Sequence, residues 1–237
     1  MNAKQRYYET MLFGNPDKIP IFLGEPREST LEEWRKQGLP GDTDYLDALF
    51  GSLGLSSEAS LKREWIDVCF SMIPEYEPVI LEHADGHYVL RDWMGAVVEI
   101  SDRYDESYLR NPKDFVTRKW HKFPVENPED WQEMKKRYRP ESVGRFAADF
   151  THRCDELKKR DAITSLSIHG VFWQLREWCG FENLCIMMMD NPGFIHEMAD
   201  FWTEYVCAML ERILMSITPD CLYIEEDMAY KAHSMIS

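Results

Sequence analysis

The sequence predicts an α/β protein in which a parallel sheet with right-handed helical crossovers is interrupted by a small antiparallel meander. Three observations predict it. Short apolar runs at 19–24, 65–71, 162–168 and 221–225 alternate with helical stretches, the pattern that parallel strands and their crossovers leave in a sequence. Between about 76 and 101 the texture changes to three short β-rich runs separated by Asp85-Gly86 and Met94-Gly95, where glycine supplies the positive φ of tight hairpins. From about 192 to 216, Phe194, Met198, Trp202, Tyr205, Met209 and Ile213 recur every three or four residues. Glu197, Asp200, Glu204 and Glu211 fall off that stripe, as one long amphipathic helix requires.

Taken in order, a first helix is expected over 3–13 and a strand over 19–23. Ser29 with Glu32, or Thr30 with Glu33, makes a capping-box pattern ahead of Trp34, and Gly38-Leu39-Pro40 stops that helix. A strand is expected over 65–70, followed by the meander strands at 78–82, 87–91 and 96–100. Asn-Pro occurs at Asn15-Pro16, Asn111-Pro112, Asn127-Pro128 and Asn191-Pro192. Asparagine accepts from a helix's first free amides and proline suits its first turn, so at least the last two are helix starts; a simple turn suits the first. Helices are then expected at 128–138 and 143–160, a strand at 162–168, and a last strand after the Pro219-Asp220 break.

The 237 residues, 44% hydrophobic and 29% charged, describe a globular chain and exclude disordered or collagen-like sequence. With 27 basic and 42 acidic side chains the net charge is −15, which repels nucleic-acid backbones and anionic membranes alike. No apolar run approaches the roughly 20 residues of a membrane span, and Met1 to Glu9 carries no hydrophobic signal core. The cysteines at 69, 154, 179, 185, 207 and 221 form no CxxC pair and read as reduced thiols, which places the protein in a bacterial-type cytoplasm. GxxxxGK[ST], GxSxG, HExxH and GxGxxG are all missing. His83 and His87 have the spacing of two metal ligands on one helix face, but Asp85-Gly86 puts a turn between them.

The most informative cluster is Glu225-Glu226-Asp227, directly after the apolar run 221–224. At the C-terminal end of a parallel strand, where α/β folds place their sites, adjacent carboxylates can supply a general acid or bind a cation. Strand alternation lets only one or two of them point inward, and a hydrated acidic loop is the plain alternative. His169 holds the equivalent position after 162–168, ahead of Gly170-Val171-Phe172-Trp173. A histidine there can reach a ligand, and the aromatic pair can either wall a pocket or fill the core at a helix start. Met187-Met188-Met189 reads as helix packing.

Several segments together resemble the uroporphyrinogen decarboxylase superfamily. Thr30-Leu-Glu-Glu-Trp34-Arg35-Lys-Gln-Gly38-Leu39-Pro40 is similar to its N-terminal segment, and Trp93-Met-Gly95 with Pro124-Val125 and Asp130-Trp131 to a later run. His169 to Trp173 with Glu177 to Asn183, the Asn191-Pro192 helix start, and Pro219 to Lys231 complete a similarity that covers essentially the whole chain. The resemblance implies a (β/α)8 TIM barrel with extra N-terminal helices, of which this chain, a single domain over 1–237, holds roughly the first half. It also implies that the family pattern continues beyond Ser237. The family's true decarboxylases hold substrate carboxylates with arginines after the first strand, whereas Gly24-Glu25-Pro26-Arg27-Glu28 offers one, and Asp67-Val68-Cys69-Phe70 is a poor match to their second-strand segment.

The resemblance therefore favours the methyltransferase branch: methyl transfer to or from a small molecule, with a corrinoid (cobalamin) carried by a partner protein. In that reading Glu225, Glu226, Asp227 and His169 polarise the substrate or manage its proton. Arg27, Trp173, Tyr223, Tyr230 and Lys231 contact substrate or corrinoid. No metal ligand is assigned within these residues; zinc enters only with the continuation, and a homodimer is compatible. The alternatives are uroporphyrinogen decarboxylation and a non-catalytic module that binds corrinoid or dimerises.

Overall fold

A computed structural model describes residues 1–21, 24, 26–55, 61–104, 109–110 and 117–235. In chain order the elements are α1 (Ala3–Met11), α2 (Glu28–Lys36), α3 (Tyr45–Ser52), β1 (Arg63–Trp65), β2 (Val79–Ala84), β3 (His87–Arg91), β4 (Val97–Ser101) and β5 (Lys119–Lys122). They continue with α4 (Pro128–Lys135), α5 (Phe150–Lys159), β6 (Ile163–His169), α6 (Val171–Cys179), α7 (Phe181–Asp190), α8 (Pro192–Leu214) and β7 (Cys221–Glu225). The chain is mixed α/β, with a parallel sheet in the order β1-β6-β7 and an antiparallel sheet in the order β2-β3-β4-β5. Among the described residues the parallel sheet does not close into a barrel.

Of the four expected parallel strands, the second is corrected and the first lies in part outside the described residues. At the first, the Ile21 carbonyl accepts from the Leu61 amide at 2.8 Å, but residues 19–21 form no strand; Phe22 and Leu23 lie outside the described residues, as does Asn111-Pro112. At the second, only Arg63–Trp65 pairs with β6, and after the Ile66 amide donates to Ser165 the backbone turns elsewhere. Val68 bridges Phe146 antiparallel, and the Cys69 amide donates to the Arg145 carbonyl at 2.9 Å. Arg145, 1% exposed, explains this departure: its guanidinium donates to the carbonyls of Cys69, Ser71, Arg137 and Arg139, tying two loops together. The same knot, with Gly144 at φ +94°, delays the helix expected from 143 until Phe150.

Local chemistry accounts for most boundaries. Asn127 accepts from the Asp130 amide at 2.9 Å and Asn191 from Phe194 at 3.3 Å, each with proline in the first turn. The capping box expected at Ser29 or Thr30 is not used; α2 starts at Glu28, and its N-cap Arg27 makes no side-chain cap. The box appears instead at Asn2 and Gln5. The meander gains a fourth strand, β5, paired to β4 and exposed along its length.

In β6, Leu166 packs against Phe150, Cys154 and Ile213, and Ile168 packs against α6 and α8. Strand alternation sends Ser165, Ser167 and His169 to the opposite face. The parallel register aligns those three with Cys221, Tyr223 and Glu225. Near the strands' N-terminal ends, α1 is clamped by Asp161, which accepts from the Ala3 and Lys4 amides, and by Asp220, which pairs with Lys4 at 2.8 Å. The C-terminal ends are left to open into a cavity.

Candidate functional site

A cavity of about 410 Å³ lies over the C-terminal end of β6. Ser167, His169 and Glu225 form its polar edge; Gln174, Glu177 and Trp178 come from α6, and Trp202 from α8. The loop after β1 adds Phe70 and Met72, and the β3–β4 turn adds Trp93 and Met94. That turn is built by Asp92, whose carboxylate accepts from the Met94 amide and the Ala96 amide at 3.0 Å each. Gly95 occupies φ +90° there, with Tyr76 so close that a Cβ would stand 2.6 Å from its ring. Burial pushes the Asp92 carboxyl above its ordinary range, against the pull of these amides.

His169 and Glu225 are register partners on neighbouring strands, so two groups able to carry a proton share one edge of the cavity. Each has an orienting neighbour. Ser167 donates its hydroxyl to Glu225, and His169 Nδ1 lies 3.3 Å from Gln174 Oε1. The Trp202 indole donates to the His169 carbonyl at 3.0 Å, fixing the strand end itself. Beneath them Tyr138, 4% exposed, accepts from Trp178 Nε1 at 3.1 Å and Gln174 Nε2 at 3.4 Å. Burial drives the Tyr138 hydroxyl well above its ordinary range, so it stays neutral.

The other acidic candidates are engaged differently. Glu226 accepts from the backbone amides of Phe172 at 3.0 Å and Trp173 at 2.9 Å. It thereby caps α6, whose N-cap residue Gly170 has no side chain to do so. Gly170 is required for this approach, because a Cβ there would lie 2.2 Å from the Glu226 carboxylate. Asp227 pairs with Arg176, whose guanidinium also lies 4.9 Å over the Trp173 ring. Trp173 stands behind the site, 5.4 Å from the His169 ring.

The remaining sequence candidates lie outside the cavity lining. Tyr223 shares the β7 face with Glu225 but packs on Trp65 and under Arg63, at 5.7 and 4.6 Å. Arg27 is exposed at the start of α2, and Tyr230 and Lys231 are exposed in the segment after β7. Of the candidates, His169 and Glu225 alone line the cavity. Ser167, Gln174, Glu177 and Tyr138 were missed. The polar alternation of Ser165, Ser167 and His169 along an otherwise buried strand points to Ser167, and the three-residue spacing of Gln174 and Glu177 points to one helix face.

His83 and His87 sit on adjacent hairpin strands, with His83 3.1 Å from Asp102. Among the described residues no group of three histidine, cysteine or acidic side chains is placed to hold a metal ion. No helix there is long and apolar enough to cross a membrane. The cysteines are all free, and burial pushes the Cys179 thiol up to about 12. Fold and site together define a mixed α/β protein with a ligand-sized cavity at parallel strand ends. Comparison with family models, curated proteins and solved structures finds no match.

Proposed function

We propose that the chain is the front part of a uroporphyrinogen-decarboxylase-like (β/α)8 barrel and serves methyl transfer between a small molecule and a corrinoid held by a partner protein. The observation that carries this reading is the His169–Glu225 pair at the C-terminal ends of adjacent parallel strands, on the edge of a cavity sized for a small substrate. In it, Glu225, held by Ser167, and His169, beside Gln174, accept or return a proton as a methyl group arrives at or leaves a substrate heteroatom. A corrin macrocycle does not fit within about 410 Å³, so no residue of this chain is assigned to hold it and no step is routed through it. Uroporphyrinogen decarboxylation is less well supported, because among the described residues no lysine or arginine lines the cavity to hold an acidic substrate.

The test is methyl exchange between methylcobalamin and small thiols, amines and phenols, followed by the visible spectrum of the corrinoid. The full-length parent, with the continuation that the resemblance implies, is expected to turn over, whereas residues 1–237 alone are not. Glu225→Gln in the full-length parent is expected to lose at least tenfold with an unchanged unfolding midpoint. No exchange by the parent, or full turnover by the variant, refutes the reading. Cobalamin binding without exchange would favour the non-catalytic module.

A further inference from the structure

The cavity's lining has an unusual charge composition. Glu75, Glu177 and Glu225 line it, and among the described residues no lysine or arginine does. Glu75 is neutralised by Arg110 at 2.5 Å. Glu225 is bonded to a neutral hydroxyl, and Glu177 has no hydrogen-bond or ion-pair partner among the described residues. The nearest buried guanidinium, Arg145, is occupied by backbone carbonyls behind the loop that carries Ser71. Among the described residues, then, two carboxylates line the cavity without an ion-pair partner, while the nearby guanidiniums of Arg110 and Arg176 are paired with Glu75 and Asp227, a balance that disfavours an anion and rewards a positive charge.

The walls are suited to the same ligand by a separate interaction. Phe70, Trp93, Tyr138, Trp178 and Trp202 give the space aromatic surfaces, and aromatic faces attract alkylated ammonium groups through their quadrupoles while tolerating their methyls. The chain itself shows the arrangement on the rim: the Arg110 guanidinium lies 5.5 Å over Trp93 while it pairs with Glu75, both of them lining residues. A carboxylate and an aromatic face together hold a cation there, and Glu177 and Trp178 of α6 both line the cavity as well. An adjoining groove of about 510 Å³ shares Met94 and Glu177 with the cavity and continues past Trp120, Phe123 and Phe181, where Glu182 and Arg176, the latter paired with Asp227, also line it.

We infer that the cavity binds an alkylated ammonium compound, its cationic head between Glu177, Glu225 and the aromatic walls. This rests on the reading that the cavity is the substrate site, and it specifies the substrate class. Binding of three matched probes to the full chain, measured by calorimetry, tests it: choline, its neutral carbon isostere 3,3-dimethyl-1-butanol, and the anion 3,3-dimethylbutanoate. Choline is expected to bind at least tenfold more tightly than the neutral isostere and to weaken as salt rises, with the anion weakest. Glu177→Gln, at a half-buried surface position, is expected to weaken choline several-fold and leave the neutral isostere unchanged. Equal affinity for charged and neutral probes, preference for the anion, or no binding of choline overturns the inference. Methyl exchange on a neutral substrate with no choline preference would remove the cation and leave the methyl-transfer reading standing. Choline preference without any exchange would do the reverse.

Discussion

Glu226→Ala removes a helix cap delivered from another strand, and its cost can be worked from the geometry. The carboxylate accepts two amides of the first turn of α6, at 3.0 and 2.9 Å, where no local side chain caps. Loss of one side-chain cap typically costs ~1 kcal/mol, and a negative charge at a helix N-terminus adds ~0.3–1 kcal/mol. Two bonds and the charge give about 2–3 kcal/mol, with water replacing part of the loss because Glu226 is half-buried. For a chain of 237 residues that is a fall in Tm of about 4–12 °C. Gly170→Ala should cost a similar amount by a different route, since its Cβ would occupy the carboxylate's position, 2.2 Å away. Because both changes break one interaction, the double variant should cost about as much as either alone. Urea unfolding followed by far-UV circular dichroism reads all three. A Glu226→Ala cost below about 0.5 kcal/mol, or costs that simply add, refutes the cap. Lost turnover with unchanged stability would return Glu226 to the chemistry.

Three further outcomes follow from buried polar groups. Asp220, its side chain 4% exposed, is pushed up by burial but held lower overall by Lys4, Tyr8 and Thr164. Its contribution is therefore present at neutral pH and lost as pH falls through its depressed folded-state value; Asp220→Ala should cost about 2–4 kcal/mol at pH 7 and progressively less in acid, read as urea midpoints. Asp92 has the opposite sign: its raised carboxyl makes the fold lose stability as pH rises from the ordinary carboxylate range through the higher folded-state value. Asp92→Asn, which keeps an acceptor for the Met94 and Ala96 amides, should gain on the parent as pH rises from the ordinary carboxylate range through the raised folded-state value, and hold that gain above it. A pH-independent difference would show that the carboxyl is not perturbed. Tyr138→Phe strands the Trp178 and Gln174 donors and should cost about 1–3 kcal/mol, whereas an equilibrium change near zero in thermal or urea unfolding would mean that water replaces the hydroxyl.

The parts of the fold that were legible in the sequence are those whose signals are local. The α8 stripe from Phe194 to Ile213 is buried at each expected position, because 3.6-residue periodicity and core contact are the same fact there. The Asn-Pro caps of α4 and α8 and the two glycine hairpins are likewise decided by neighbours in sequence. The strand expected over 65–71 fails because Arg145, some seventy positions away, claims the carbonyls of Cys69 and Ser71. No apolar pattern within 65–71 encodes that. Asp44, accepting from the Leu46 amide at 2.8 Å, starts a helix that its short, mixed sequence does not announce. At the site, strand-end position pointed to His169 and to the whole cluster 225–227, and it is the register of β6 with β7 that sets Glu225 beside His169. The different work of Glu226 depends on amides 53 and 54 residues earlier, and adjacent carboxylates look alike until those partners are known.

The clamp between α1 and the start of β7 has a consequence for how the molecule assembles. Tyr8 donates to Asp220 across 212 positions, and Asp220 also takes the Thr164 amide at the start of β6. β1 cannot find its partner until β6 has been made, about a hundred residues later. Contacts of such long span are late and slow to close. A growing chain therefore carries β1 without its partner until β6 emerges and α1 without Asp220 until β7 begins, and β7 completes the order β1-β6-β7. Refolding should accordingly be slow and prone to off-pathway association, with the locally paired β2–β5 meander structured first.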